Sequence, residues 1–169
     1  MRSNKENIQL ARVNAKNECD ICFHSNDPSN QIIQTERWVV NLASNQAYLG
    51  RSYVTLRRHI GTLEQLDNED WGELHSIIRR MEFACSSVFG ASPFNWGCYM
   101  NKEFQEPPYN PHVHWHLFPR YRKPVEFSNI VFEDSKYGQM FDDAEEKLVD
   151  SNTQSQIRIR LRRAIEDFR

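Results

Sequence analysis

Polar and apolar side chains alternate without a break along HVHWHL, residues 112–117. Successive side chains of an extended chain point to opposite faces, so His112, His114 and His116 share one face and Val113, Trp115 and Leu117 the other. The pattern predicts a half-buried strand. Asn110-Pro111 bounds it before and Pro119 after, since proline donates no ladder hydrogen bond. Residues 31–35, 37–42 and 52–57 are rich in β-branched and aromatic side chains and are expected as strands, with FNWGCYMN, 94–101, as a further one. A different period runs from 68 to 89, where Trp71, Leu74, Ile78, Met81, Cys85 and Val88 form one helical stripe. Either Asp67 or Asn68 caps this helix, and Gly90 suits its left-handed stop. Ile157, Leu161, Ile165 and Phe168 predict a second helix over 153–168, and the weakly spaced Ile8, Ala11 and Ala15 a marginal one over 4–16. ECDICFHSNDPSN, between the first of these elements and the strands, is turn-rich. Antiparallel strands with helices inserted between them indicate an α+β domain, not repeated βαβ units.

A chain of 169 residues with a formal net charge of −2 fits one domain over 1–169. This balance argues against general nucleic-acid binding. No apolar run approaches the roughly 20 residues of a membrane helix, and MRSNKENIQ lacks the apolar segment of a signal peptide, so a cytoplasmic location is expected. Four cysteines are too sparse for a disulfide framework; Cys19, Cys22, Cys85 and Cys98 are expected to be reduced. Cys19 and Cys22 have a spacing that zinc favours, but one such pair needs two further ligands. The three strand histidines stand about 7 Å apart, two rises along a strand. Three full charges at that spacing would repel, so neutral rings are expected near pH 7. A neutral imidazole is both a nucleophile and a metal ligand, and histidines two apart on a strand also serve purely as metal sites.

HVHWHLF resembles the signature of the histidine triad family of nucleotide hydrolases and transferases, and Pro119-Arg120 continues it in the family's manner. LGRSYVTLRRHIGTLEQL, 49–66, looks like the family's glycine-led strand ending in a basic residue and a histidine, with the start of a long helix after it. FNWGCYMN stands where the family's strand supplies an asparagine to the nucleotide, and CDIC resembles the cysteine pair of many bacterial members. The resemblance covers about 19–123 and leaves 124–169 as an extension with a helix. It implies a five-stranded antiparallel sheet carrying the long and C-terminal helices, and a homodimer formed through sheet edges. It implies a covalent nucleotidyl-histidine intermediate on His114, with His116 assisting the leaving group and His112 supporting the site or binding metal. Asn101 would donate to the phosphoryl oxygens, and Arg120 would face phosphate near the end of the strand. Zinc, if bound, would be structural, on Cys19, Cys22, His59 and His112, with His24 able to replace one ligand. No metal is then required for the chemistry. His75, on the long helix, is expected to be structural or at the surface.

Three features depart from the family pattern. Arg51 follows Gly50 where many relatives have a fourth histidine; a guanidinium cannot shuttle protons but grips phosphate with a two-pronged donor. Pro108 and Tyr109 replace the usual polar pair before the triad, leaving Asn110 as the nearest amide. The acid that holds the ribose has no clear equivalent in WVVNLASNQAYLG, where Asn41 or Asn45 could serve. The expected activity is cleavage or transfer of a nucleoside monophosphate group, from a dinucleoside polyphosphate or a nucleoside phosphoramidate. The alternative is a nucleotide- or metal-binding protein with little turnover.

Overall fold

A computed structural model describes residues 19–142 and 144–168; the helix expected over 4–16 lies outside them. The elements in chain order are α1 (Asp20–Ser25), β1 (Gln31–Gln34), β2 (Trp38–Leu42), β3 (Ser52–Leu56), α2 (Asn68–Phe89), β4 (Phe94–Gly97), β5 (His114–Pro119), β6 (Val125–Phe127), β7 (Ile130–Phe132) and α3 (Ser151–Glu166). Strands β1 to β5 form one antiparallel sheet in the order β1-β2-β3-β5-β4, and β6 pairs with β7 apart from it. The chain thus has the expected five-stranded sheet with its long and C-terminal helices.

Each strand of the centre divides its side chains between two faces. Trp38, Val40 and Leu42 of β2, Val54 and Leu56 of β3, and Leu117 of β5 join one buried cluster with Leu74, Ile77, Met81, Cys85 and Phe89 of α2. Ile157 and Leu161 of α3 extend that cluster, α3 packing against both α2 and β1. The apolar stripe of α2 is therefore rotated from the expected one: Ile77 and Ala84 are buried, Ile78 and Val88 only partly so, and Trp71 stands at the surface. A helix packed on both a sheet and a second helix buries a wider face than a single stripe provides.

Asp67 is the cap of α2. Its carboxylate accepts from the Asp70 N–H, and Asp70 accepts from the Asp67 N–H in return, both at 2.8 Å. Gly90 ends the helix at φ 73°. Asp70 has no solvent exposure and also receives Arg37 and Arg58, which ties the β1–β2 turn and the end of β3 to the helix start. Arg57 is likewise engaged, donating to the Thr35 and Glu36 carbonyls.

Three elements, α1, β6 and β7, lay outside the sequence expectations. The turn-rich CDIC stretch forms the helix α1, capped by the Cys19 sulfur. VEFSNIVF forms the β6–β7 hairpin, whose two-residue turn sets Ser128 and Asn129 at φ 52° and 60°. The strand expected over 94–101 stops at Gly97.

Candidate functional site

Two groups of side chains meet where β3 and β5 lie side by side. The first is built from the chain ends just beyond the paired strands. Leu56 N–H donates to the Val113 carbonyl and Val113 N–H to the Ile60 carbonyl, which holds His59 next to His112 with ring centroids 4.8 Å apart. The first turn of α1 then brings Cys19 and Cys22 onto the same side. Cys19 Sγ is 3.6 Å from His112 Nδ1, and Cys22 Sγ is 3.3 Å from His112 Nδ1 and 3.5 Å from His59 Nδ1. Two ligands on one zinc, with Zn–S about 2.3 Å and Zn–N about 2.0 Å, stand roughly 3.5 Å apart at a tetrahedral angle. The four donor atoms lie within 4.8 Å of one another and could hold a metal ion.

The protonation of His112 fits that use. Its Nε2–H donates to the Leu56 carbonyl at 2.6 Å, so the lone pair sits on Nδ1, toward the sulfurs. Burial, the largest influence, pushes the His112 imidazolium down to about 4, and burial lowers His59 as well. Both rings are thus neutral near pH 7, as a ligand must be. His24 is exposed on α1 outside this group, its ring edge-on to Phe23.

The second group faces a cleft of about 1210 Å³. His114 and His116 line it, with ring centroids 5.0 Å apart. His114 is 8% exposed, and its Nδ1–H donates to the His112 carbonyl at 2.8 Å. That bond fixes the tautomer, so the lone pair is on Nε2. Register arranges the rest in rows across the sheet: Asn41, Tyr53, His116 and Gly97 are successive partners in one row, and Val39, Thr55 and His114 in the next. Tyr53 meets the His116 ring edge-on at 5.0 Å. Gly97 completes the row without a side chain, and the Tyr99 ring takes the space. A Cβ at Gly97 would lie 2.1 Å from Tyr99 Cζ, and the Tyr99 ring stands 5.4 Å from that of His116. The folded-back tyrosine thus occupies the end of the row just beyond the last residue of β4.

Of the residues expected to touch substrate, Asn101, Asn110 and Arg51 line the cleft. Arg120 does not. It is 2% exposed, paired with Asp134 at 2.6 Å, and also donates to Asn95 and to the Lys136 and Gln139 carbonyls. Arg120 was expected to face phosphate near the strand's end, but a buried carboxylate 14 positions later engages its guanidinium. Between the two asparagines offered for the ribose, Asn45 is occupied with Glu145, Ala47 and Lys147 of the chain's own backbone. Asn41 instead lines the cleft, and its buried Oδ1 has no hydrogen-bond partner among the described residues. His75 is exposed on α2. Tyr53 and Tyr99 were missed as site residues. Tyr53 was within reach, because pairing β3 with the histidine strand sets it beside His116; no local signal marks Tyr99.

Residues 24–123 match the family model described as HIT domain. No curated protein matches the chain. Among solved structures, a hypothetical histidine triad nucleotide-binding protein of Sulfolobus tokodaii is similar with a TM-score of 0.64 at 14% identity, over 88% of this chain and 93% of that one. A Zn-bound histidine triad family protein of Mycobacterium smegmatis gives 0.60 at 16% identity, over 90% and 96%. The diadenosine triphosphate hydrolase of Plasmodium falciparum, in complex with cyclomarin A, gives 0.57 at 14% identity, over 83% and 79%. At these identities the likeness is one of fold.

Proposed function

Because this chain belongs to the histidine triad family, we propose that it cleaves or transfers a nucleoside monophosphate group, with a dinucleoside polyphosphate or nucleoside phosphoramidate as the donor. The observation that carries this reading is the bond from His114 Nδ1–H to the His112 carbonyl, which leaves Nε2 as a lone-pair nucleophile in the cleft beside His116. Imidazole stays unprotonated in neutral water and splits one hard displacement into two. His114 Nε2 attacks the α-phosphorus, the bond to the leaving group breaks, and His116 supplies a proton to the departing atom. Water, or another acceptor, then attacks the same phosphorus, the P–N bond breaks, and the nucleotide is released. Asn101 and Asn110 are amides at the cleft that can donate to phosphoryl oxygens, each such donor contributing about 3 kcal/mol when aimed at developing charge. Asn41 Oδ1 suits a hydroxyl donor such as a ribose, which would satisfy an otherwise unpaired buried acceptor.

The relative described as a diadenosine triphosphate hydrolase supports the substrate class, and the Zn-bound relative supports zinc on Cys19, Cys22, His59 and His112. Four protein ligands close such an ion against substrate, so its role is structural. The same reading includes pairing as a homodimer, which the outer position of β4 allows.

The test is to incubate the protein with nucleotide labelled at the α-phosphate and stop the reaction in alkali. A histidine-linked nucleotide is expected in the parent and not in His114→Ala, whose turnover should fall by more than about a thousandfold. His116→Ala should lose less and recover selectively with a better leaving group. Full activity in His114→Ala would end this reading.

A further inference from the structure

His116 sits at the centre of a row that crosses the sheet. Tyr53 of β3 stands opposite it on one side and Gly97 of β4 on the other. The Tyr53 ring meets the His116 ring edge-on, with centroids 5.0 Å apart and planes at 84°. On the far side Tyr99 does the same at 5.4 Å and 66°. The Tyr99 hydroxyl oxygen would be 2.3 Å from a Cβ at Gly97, so the phenol end lies over β4 in the place of a side chain opposite His116. Two tyrosines, brought by different strands, thus bracket the imidazole proposed to act on the leaving group.

Their hydroxyls differ from those of the buried tyrosines. The Tyr121 hydroxyl donates to the Leu49 carbonyl at 2.6 Å, and the Tyr48 hydroxyl accepts the Asp142 N–H at 2.8 Å. Those two oxygens are occupied in holding the fold. Tyr53 and Tyr99 instead line the cleft, and among the described residues neither hydroxyl has a hydrogen-bond partner. A ring that only packs on a neighbour has no use for a hydroxyl: on a third side of His116 that place is taken by Phe118, nearly parallel to the imidazole at 6.0 Å and 13°.

Displacement at a phosphorus needs donors fixed toward the phosphoryl oxygens on which charge develops. Pro107, Pro108 and Pro111 leave the loop into β5 short of backbone N–H groups. Asn41 Oδ1 and Glu103 Oε2, buried at the cleft without a hydrogen-bond partner among the described residues, are acceptors and repel such oxygens. A phenol O–H is a neutral donor that turns about its C–O bond to meet an acceptor. We propose that Tyr53 and Tyr99 are catalytic residues, whose hydroxyls donate to phosphoryl oxygens from the two sides of His116 as the bond to the leaving group breaks. This rests on the nucleotidyl transfer proposed above. Both tyrosines keep their protons. The bond formed is His114 Nε2 to the α-phosphorus; the bond broken joins that phosphorus to the leaving atom, which keeps the electron pair and takes its proton from His116. Tyr53 contributes more, because a paired strand fixes it in advance, whereas Tyr99 lies past the end of β4 and is 41% exposed.

Phenylalanine at either position keeps the ring and removes the hydroxyl. With diadenosine triphosphate and adenosine 5′-phosphoramidate as donors and released AMP as the readout, Tyr53→Phe should lower kcat by about tenfold or more and Tyr99→Phe severalfold, each with KM changed by less than about twofold. A hydrogen bond made only as charge develops gives that split. The second readout is sulfur in place of one nonbridging α-phosphoryl oxygen of whichever donor the parent turns over faster. Sulfur accepts hydrogen bonds weakly, so in one of the two diastereomers the parent should be slowed more than Tyr53→Phe is. That ratio does not depend on how much of a variant is folded. Both variants should still form the histidine-linked nucleotide of the alkali test. Phenylalanine variants with the parent's kcat, or the same sulfur effect in parent and variants for both diastereomers, overturns the catalytic hydroxyls while leaving nucleotidyl transfer intact. No AMP from either donor in the parent, with no histidine-linked nucleotide, overturns both.

Discussion

His112 engages its surroundings through three atoms: Nδ1 toward the two sulfurs, Nε2–H on the Leu56 carbonyl, and its own carbonyl under His114 Nδ1–H. Three histidines spaced by two in sequence therefore divide between two places, His112 beside the cysteines and His114 and His116 in the cleft. Alternation made them legible as a set, because it is a local property of an extended chain. Their division was not legible, since β5 begins only at His114 and His112 turns toward partners 53 to 93 positions away. Tyr99 was hidden for the same reason: its place depends on a glycine two residues back. Gly97 shows how narrow that dependence is. In Gly97→Ala the new methyl would collide with the Tyr99 ring. That ring is 41% exposed and can swing into solvent, so stability should change by about 1 kcal/mol or less. His116 would lose one of its aromatic neighbours, keeping Tyr53 and Phe118. Turnover should drop severalfold while the melting temperature stays nearly fixed; a large fall in stability with unchanged kinetics would contradict this account of the Tyr99 contact.

The long helix and the histidine strand were the elements best read in advance, each having a sustained period and recognisable ends. α1 and the β6–β7 hairpin were not, because six helical residues and three-residue strands carry too little period to stand out. At the start of α2, Asp70 binds the strands to the helix. Arg58, the largest influence, and Arg37 hold its carboxyl well below the usual carboxylate range despite burial. A carboxyl whose pKa is depressed on folding stabilises the fold above its unfolded value, near ~4, and loses that contribution as pH falls below it. Asp70→Asn should then cost about 2 kcal/mol at pH 7, less than a sealed ion pair because Arg58 remains open to water. Chemical denaturation of both proteins at pH 7 and pH 3 checks the sign: the gap between them should narrow at the lower pH, and a gap that widens would refute the linkage.

Across the whole molecule, the cysteine–histidine group joins a segment before the sheet to its two central strands. Metal binding to a closed site of this kind appears as folding free energy. The protein purified without chelator should carry about one zinc per chain. Replacing Cys19 and Cys22 together with serine should lower thermal stability more than it lowers turnover per folded molecule, and strong chelation of the parent should reproduce that shift. No zinc and unchanged stability in the double variant would exclude the site, whereas loss of rate at normal stability would make the metal catalytic.

β3 and β5 are fastened to each other at both ends, by His59 against His112 at one and by Arg51 against Phe118 at the other. A slip of one residue between them would turn Trp115 and Leu117 into the cleft and two imidazoles into the apolar layer beneath. The distance along the chain from Arg51 to His59, and from His112 to Phe118, is consequently a fixed measure with no slack for an inserted or deleted residue. The stretch from Lys102 to Pro108, between the cleft residues Asn101 and Asn110, has no strand pairing of this kind. Changes in its length can reshape the rim around the substrate while the two fastened strands keep the same chemistry underneath.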